Sequence, residues 1–198
     1  MRLLQAVIVL IAIGLISAAG KGTKVYRNEE FGISVPIPTG AILCPVSGDQ
    51  HDHGPVFLLG DRSVKRCQDS ERGRSVVVFA GYNAAEATKR LHEFLEWECL
   101  HVSKGPCTPA RGGLAVVGRP SEAATVNRPD GWTDIIVVTQ AGKPDPDFDA
   151  SVPSINYELR LHTRTDHLEE DLHMFRTVLS TITFSPDQAP ANQKSRRQ

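Results

Sequence analysis

Two four-residue runs, Val76-Val77-Val78-Phe79 and Ile135-Ile136-Val137-Val138, contain no polar side chain. Successive side chains of a strand point to opposite faces, so a strand without a polar member is buried on both. A sheet holding two such strands needs a covering layer on each side. Residues 31–38, 55–60, 75–82, 113–118, 125–128 and 132–140 are short and β-rich, and 182–184 adds a last strand. In 155–162, Ile155, Tyr157, Leu159 and Leu161 alternate with Asn156, Glu158, Arg160 and His162, the pattern of a strand that buries one face. Pro129-Asp130-Gly131 reads as a turn before the strand at 132–140, because Pro presets φ and Gly accepts a positive φ. Pro36 and Pro38 confine the strand at 31–38 to an edge or the mouth of a turn.

Two helices are well signalled. Asn83-Ala84-Ala85-Glu86 has the form of a capping box, and Ala87, Leu91, Phe94 and Leu95 then recur at helical spacing. That helix is expected to end near Cys99, ahead of Gly105-Pro106. The second is expected to start with Asp166 as N-cap and Glu169 at N3, to carry an apolar stripe of Leu168, Leu172, Phe175 and Leu179, and to end near Ser180. The helices lie between groups of strands and do not alternate with each one. The expected fold is therefore α+β: a largely antiparallel sheet covered by helices on both faces, an α/β/α sandwich with two main helices.

Arg2, an apolar stretch over 3–16 broken by Gln5 and Gly14, and the small residues Ser17-Ala18-Ala19 make a secretory signal peptide, residues 1–19. The stretch is shorter than the roughly 20 residues that cross a bilayer, so no stable membrane insertion is expected after cleavage. The expected localisation is exported, periplasmic or secreted. Residues 24–185 are expected to form a single domain. The polar tail 186–198 has too little apolar surface to offset its ordering entropy and is expected to be disordered.

Cys44, Cys67, Cys99 and Cys107 all lie beyond the signal, and an even count in an oxidising compartment argues for two disulfides. Four cysteines allow three pairings. Cys44–Cys67 and Cys99–Cys107 are favoured because each closes a local loop containing turn residues, each stabilising by about 2.5–3.5 kcal/mol in the loop-entropy model. The formal net charge is -1, bases are scattered among acids, and aromatics are 6% with no interleaving of the two. Nucleic acid is therefore not an expected partner.

The segment Asp49 to Pro55 contains His51-Asp52-His53, whose imidazole and carboxylate groups suit Zn²⁺ or Cu²⁺. In an extended backbone His51 and His53 share a face, with a third ligand to come from His92, His101, His162, His167 or His173. The same segment also reads as a polar surface loop. Asp145 and Asp147 stand in a second acidic loop whose prolines, and the absence of the EF-hand glycine and glutamate, argue against a calcium site. Asp49, Asp52, Asp145 and Asp147 are thus candidate contacts on binding loops. No G-x-S-x-G or H-E-x-x-H motif occurs, so no catalytic residue is assigned, and no cofactor is expected beyond a zinc ion at His51 and His53.

Three local features carry a resemblance. Phe31-Gly32-Ile33-Ser34-Val35-Pro36 looks like an opening strand running into a proline turn, a capped helix follows mid-chain, and the run from Phe175 to Phe184 looks like a closing helix and short strand. Together these resemble the Mog1/PsbP-like fold, an α/β/α sandwich. The resemblance implies an accessory or binding role without catalysis. The four cysteines depart from the cytosolic and chloroplast members, and no functional residue carries over. The function expected is an exported non-enzymatic binding module acting by protein–protein contact, one version being an immunity or inhibitor protein. The alternatives are an envelope accessory subunit and a metal-dependent hydrolase or metal-binding protein using His51 and His53.

Overall fold

The computed structural model describes residues 24–45, 53–60, 67, 73–82, 90–110, 112–141 and 155–185. The signal segment, the tail from 186 and the helix start at Asn83 lie outside them, as do Asp49, His51, Asp52, Asp145 and Asp147.

Among the described residues ten strands form two antiparallel sheets. The small sheet takes β1 (Val25–Asn28), β2 (Ile33–Pro36) and β10 (Thr183–Phe184), with β2 in the middle. The large sheet runs in the order β3-β4-β5-β9-β8-β7-β6. Its strands are β3 (Ile42–Pro45), β4 (Pro55–Leu58), β5 (Ser75–Tyr82), β6 (Thr108–Pro109), β7 (Glu122–Asn127), β8 (Trp132–Ala141) and β9 (Ile155–Arg164). Helix α1 (Leu91–Trp97) passes without a break into a π-helical turn (Glu98–Val102). Helix α2 (Leu168–Thr181) follows a 3-10 turn (Thr165–His167).

The all-apolar strands β5 and β8 flank β9 at the centre of the sheet. On one face Val76, Val78, Ile135, Val137, Leu159 and Leu161 pack against Leu172, Phe175, Val178 and Leu179 of α2 and against Phe31, Ile33 and Val35 of the small sheet. On the other, Ala124, Val126, Ile136 and Val138 pack under Phe94, Leu95 and Cys99 of α1 and the π turn. The α+β sandwich expected from the double-sided apolar runs is the observed class. Disulfides join Cys44 to Cys67 and Cys99 to Cys107, with Cα–Cα distances of 5.4 and 5.5 Å.

Strand β2 is central in its sheet and ends at Pro36, just ahead of the turn in which Ala41 N–H donates to Pro38 O at 3.1 Å, so of the two readings for its prolines the mouth of a turn holds. The structure departs from four sequence expectations. Helix α1 starts at Leu91 behind an extended Arg90 (φ -125, ψ 148) and is not continuous with the expected start at Asn83. Residues 113–118 form no strand. Gly112, Gly113 and Gly118 hold positive φ there, and the Val117 N–H donates to Leu179 O of α2 at 3.3 Å. Asp166 does not cap α2 but sits in the 3-10 turn, where its Oδ1 lies 3.3 Å from Arg164 Nε. Strand β9 does not leave its polar face in water. Asn156 and Glu158 are buried: Asn156 Oδ1 accepts from Gln140 Nε2 of β8 at 2.9 Å, and Glu98 of the π turn lies against Glu158.

Candidate functional site

Register fixes what the α1 face of the sheet presents. Leu58, Ser75, His162, Asp134 and Val126 form one row across five strands. Val56, Val77, Arg160, Ile136 and Ala124 form the next, and Phe79, Glu158, Val138 and Glu122 a third. Helix α1 roofs the apolar β7–β8 end of these rows. Beside it, over β4, β5 and β9, lies a half-open cavity of about 650 Å³. Its floor is the polar side of β9, and Trp97, Glu98, Val102, Lys104 and Arg128 complete its wall.

The wall is built by the π turn. Its bond runs from Ser103 N–H to Glu98 O at 3.1 Å, five residues back. The extra residue turns Glu98 and Cys99 inward and leaves Trp97 and Leu100 exposed. The turn ends at Lys104, a non-glycine residue at φ 57, followed by Gly105, whose N–H donates to Cys99 O at 3.0 Å. A Cβ at Gly105 would fall 2.5 Å from Val126 Cγ1, so the chain approaches the sheet this closely only with glycine there. The Cys99–Cys107 disulfide pins the same segment.

Three acids line the cavity. Glu98 is 3% exposed and Glu158 4%. Burial, then the charge of Glu158 and a hydrogen bond to it, push the Glu98 carboxyl up to about 9 against the opposing charge of Arg160. Glu98 therefore keeps its proton at neutral pH. Glu98 Oε2 and Glu158 Oε1 lack a hydrogen-bond partner. Arg160 Nε is 3.3 Å from Glu158 Oε1, an ion pair without hydrogen-bond geometry. Asp134 behaves oppositely. Burial would raise it, but His162 Nδ1 at 2.5 Å from Oδ1, the nearby Ser103 hydroxyl and Arg160 outweigh burial and hold the carboxyl below its usual range. Ser103 Oγ is buried beside Asp134 and meets no hydrogen-bond geometry. The His162 ring stacks on Trp132 at 4.4 Å, which fixes its plane.

Ser75, His162 and Asp134 stand in nucleophile–base–acid order, yet no hydrogen bond joins Ser75 to His162 among the described residues. The row holds an oriented imidazole but no activated hydroxyl.

Of the metal candidates, His53 is described. Its ring lies between Phe31 and Phe79, at 5.7 and 4.9 Å between centroids, and Nδ1 is 2.8 Å from Ala80 O. A metal at His53 would therefore have to use Nε2. Of the proposed third ligands, His162 lies in the cavity. His92 is exposed and paired with Glu96 and Glu122, His101 packs on Trp97, and His167 faces Glu170. Among the described residues no three His, Cys, Asp or Glu side chains form a metal-holding group, and no helix is long and apolar enough to cross a membrane.

Sequence reading missed Glu98, Asp134, Glu158 and Arg160 as a cluster. The signal was present: a strand with four alternating polar side chains, placed between two strands buried on both faces, has to bury those polar groups too.

No family model and no curated protein matches the chain. Among solved structures it is similar to the solution structure of cyanobacterial PsbP (CyanoP) from Synechocystis sp. PCC 6803. Identity is 16% and the TM-score 0.49, over 88% of this chain and 99% of that one. The likeness is one of fold alone.

Proposed function

We propose that this chain is an exported, non-enzymatic binding module that docks a partner protein at the groove beside α1. The observation that carries this is the pairing of a half-open cavity with an exposed aromatic wall. Trp97, the last residue of α1 and part of the cavity wall, is 48% exposed, and Leu100 on the disulfide-clamped π turn that follows is 61% exposed. Rigid aromatic side chains at the rim of a pocket are the groups from which binding energy is most readily drawn. A disulfide-bonded wall presents them on backbone already ordered before binding, which lowers the cost of docking. An inhibitor or immunity role and an accessory-subunit role are finer forms of this reading, and the partner's identity decides between them.

The test is affinity capture from an envelope extract, with wild-type chain compared to Trp97→Ala and Leu100→Asp. Both side chains are exposed, so the variants should unfold like wild type. A protein retained by wild type at a saturable ratio and lost with both variants supports the reading. The same proteins retained equally by all three would end it.

A further inference from the structure

On the reading that the groove is the docking site, its charges name the group it receives. The buried carboxyls of Glu98 and Glu158 touch, so the two are not ionised together, and Glu98 keeps its proton. Two ionised acids, Asp134 and Glu158, then line the cavity against three cations, Lys104, Arg128 and Arg160, with His162 bound to Asp134. The acids are closed to an occupant: Glu98 Oε2 and Glu158 Oε1 are enclosed, and Asp134 is buried. The cations are open. Arg160 keeps 19% of its side chain exposed, and its ion pair with Glu158 uses Nε, at 3.3 Å from Oε1. Its two Nη groups have no hydrogen-bond partner among the described residues. Arg128 stands 3.8 Å from Asp130 and 4.0 Å from Asp134, beyond hydrogen-bond distance of either. Lys104 is exposed, has no ion pair among the described residues, and holds φ 57, a strained conformation for a residue with a Cβ. The backbone carries that strain where the side chain lines the cavity.

An occupant with one negative charge matches this lining. A carboxylate presents two oxygens in a plane, which the paired Nη groups of an arginine meet as a fork. A dianion such as phosphate would set a second, unmatched charge beside Asp134 and Glu158. Val56, Val77, Phe79, Trp97 and Val102 give the cavity apolar surface on which the stem bearing the carboxylate can lie. We propose that the groove captures an acidic side chain of the partner protein, its carboxylate accepting from the Arg160 Nη groups, with Lys104 and Arg128 as the surrounding cations.

The test is an NMR titration of the isotope-labelled full chain at pH 7 with Nα-acetyl-glutamate methylamide, its glutamine isostere, butyrate and inorganic phosphate. The glutamate probe is expected to bind at least about tenfold tighter than the glutamine probe, as charge-assisted hydrogen bonds allow, and to shift the Arg160 Nε–H resonance. Arg160→Lys keeps the charge without the fork and should lose most of that preference. Lys104→Gly takes φ 57 without strain, so it should unfold at no lower urea concentration than wild type while binding the glutamate probe about threefold more weakly. That variant carries the test if Arg160→Lys does not fold. Equal binding of the glutamate and glutamine probes, an unchanged preference in the folded variants, or an unmoved Arg160 resonance would overturn the proposal. Butyrate or phosphate binding tighter than the glutamate probe would overturn it too, assigning the cavity to a free acid or to a dianion. If Trp97→Ala abolishes partner capture while glutamate and glutamine probes bind alike, docking stands and the carboxylate inference falls. If neither partner nor probe binds, both fall.

Discussion

Replacing Glu98 by Gln should stabilise the protein at pH 8 and leave it nearly unchanged at pH 5. Glu98 has its folded-state carboxyl pushed up from 4.5 to about 9, first by burial and then by Glu158. Between those values the folded chain binds a proton that the unfolded chain has released, so stability falls as pH rises through the window. The slope from one such site is about 1.4 kcal/mol per pH unit. From pH 5 to pH 8 it sums to a ceiling of about 4 kcal/mol, or roughly 8–16 °C in Tm for a domain of this size. Gln has the shape of the protonated acid and an amide donor for Glu158, but no proton to lose, so the variant lacks this slope. Asp134 has the opposite sign. Its carboxyl is lowered on folding, so its contribution is present above the unfolded value and lost only as pH falls through the folded one, below this window. Urea unfolding of wild type and Glu98→Gln at pH 5, 6, 7 and 8 should show a gap near zero at pH 5 that widens with pH in favour of Gln. Parallel loss of stability in the two proteins would refute the assignment of a buried, protonated Glu98.

Three further outcomes are expected. Cys99→Ala with Cys107→Ala removes a loop constraint worth about 2.5 kcal/mol, read as a lowered urea midpoint relative to oxidised wild type. Arg74→Met strands the buried Asp171, to which Arg74 Nη1 donates at 3.0 and 3.1 Å, and should cost about 3–5 kcal/mol in urea unfolding. A cost below about 1 kcal/mol, typical of surface pairs, would show that the Arg74–Asp171 pair behaves as an exposed one. Gly54→Ala should abolish cooperative unfolding in near-UV circular dichroism. Its Cβ would meet Val78 O at 2.1 Å, and its φ is 128.

The layering was legible because Val76 to Phe79 and Ile135 to Val138 leave no face for water, and α1 and α2 follow from the spacing of Leu91, Phe94 and Leu95 and of Leu168, Leu172 and Phe175. The hairpin at Pro129-Asp130-Gly131 was equally local: Gly131 takes φ 82, and Asp130 Oδ1 accepts from Trp132 N–H at 3.3 Å. The strands missed, β1, β3 and β6, are two to four residues long and take their stability from partners far along the chain. The groove was hidden for a related reason. Glu98 and Glu158 are 60 positions apart in sequence, and only the register of β9 against β5 and β8 brings Arg160, His162 and Asp134 to the same face. The histidines at 51 and 53 drew attention as adjacent letters, whereas the acids that meet in the cavity are adjacent only in space.

The placement of the second disulfide then acquires a reason beyond loop entropy. Cys99 follows Glu98 directly in the π turn, and Gly105 and Cys107 tie that turn to the helix and to the sheet. A buried carboxyl beside another carboxyl is a destabilising feature that a seven-residue helix would relieve by fraying outward, carrying Glu98 into water. The covalent bond one residue away opposes that escape. It holds Glu98 against Glu158 in the folded state, and it holds Trp97 at the end of α1 and Leu100 on the π turn outward. A single clamp thus sets both the buried acid pair and the aromatic rim, and loosening it should weaken the proposed docking at that rim.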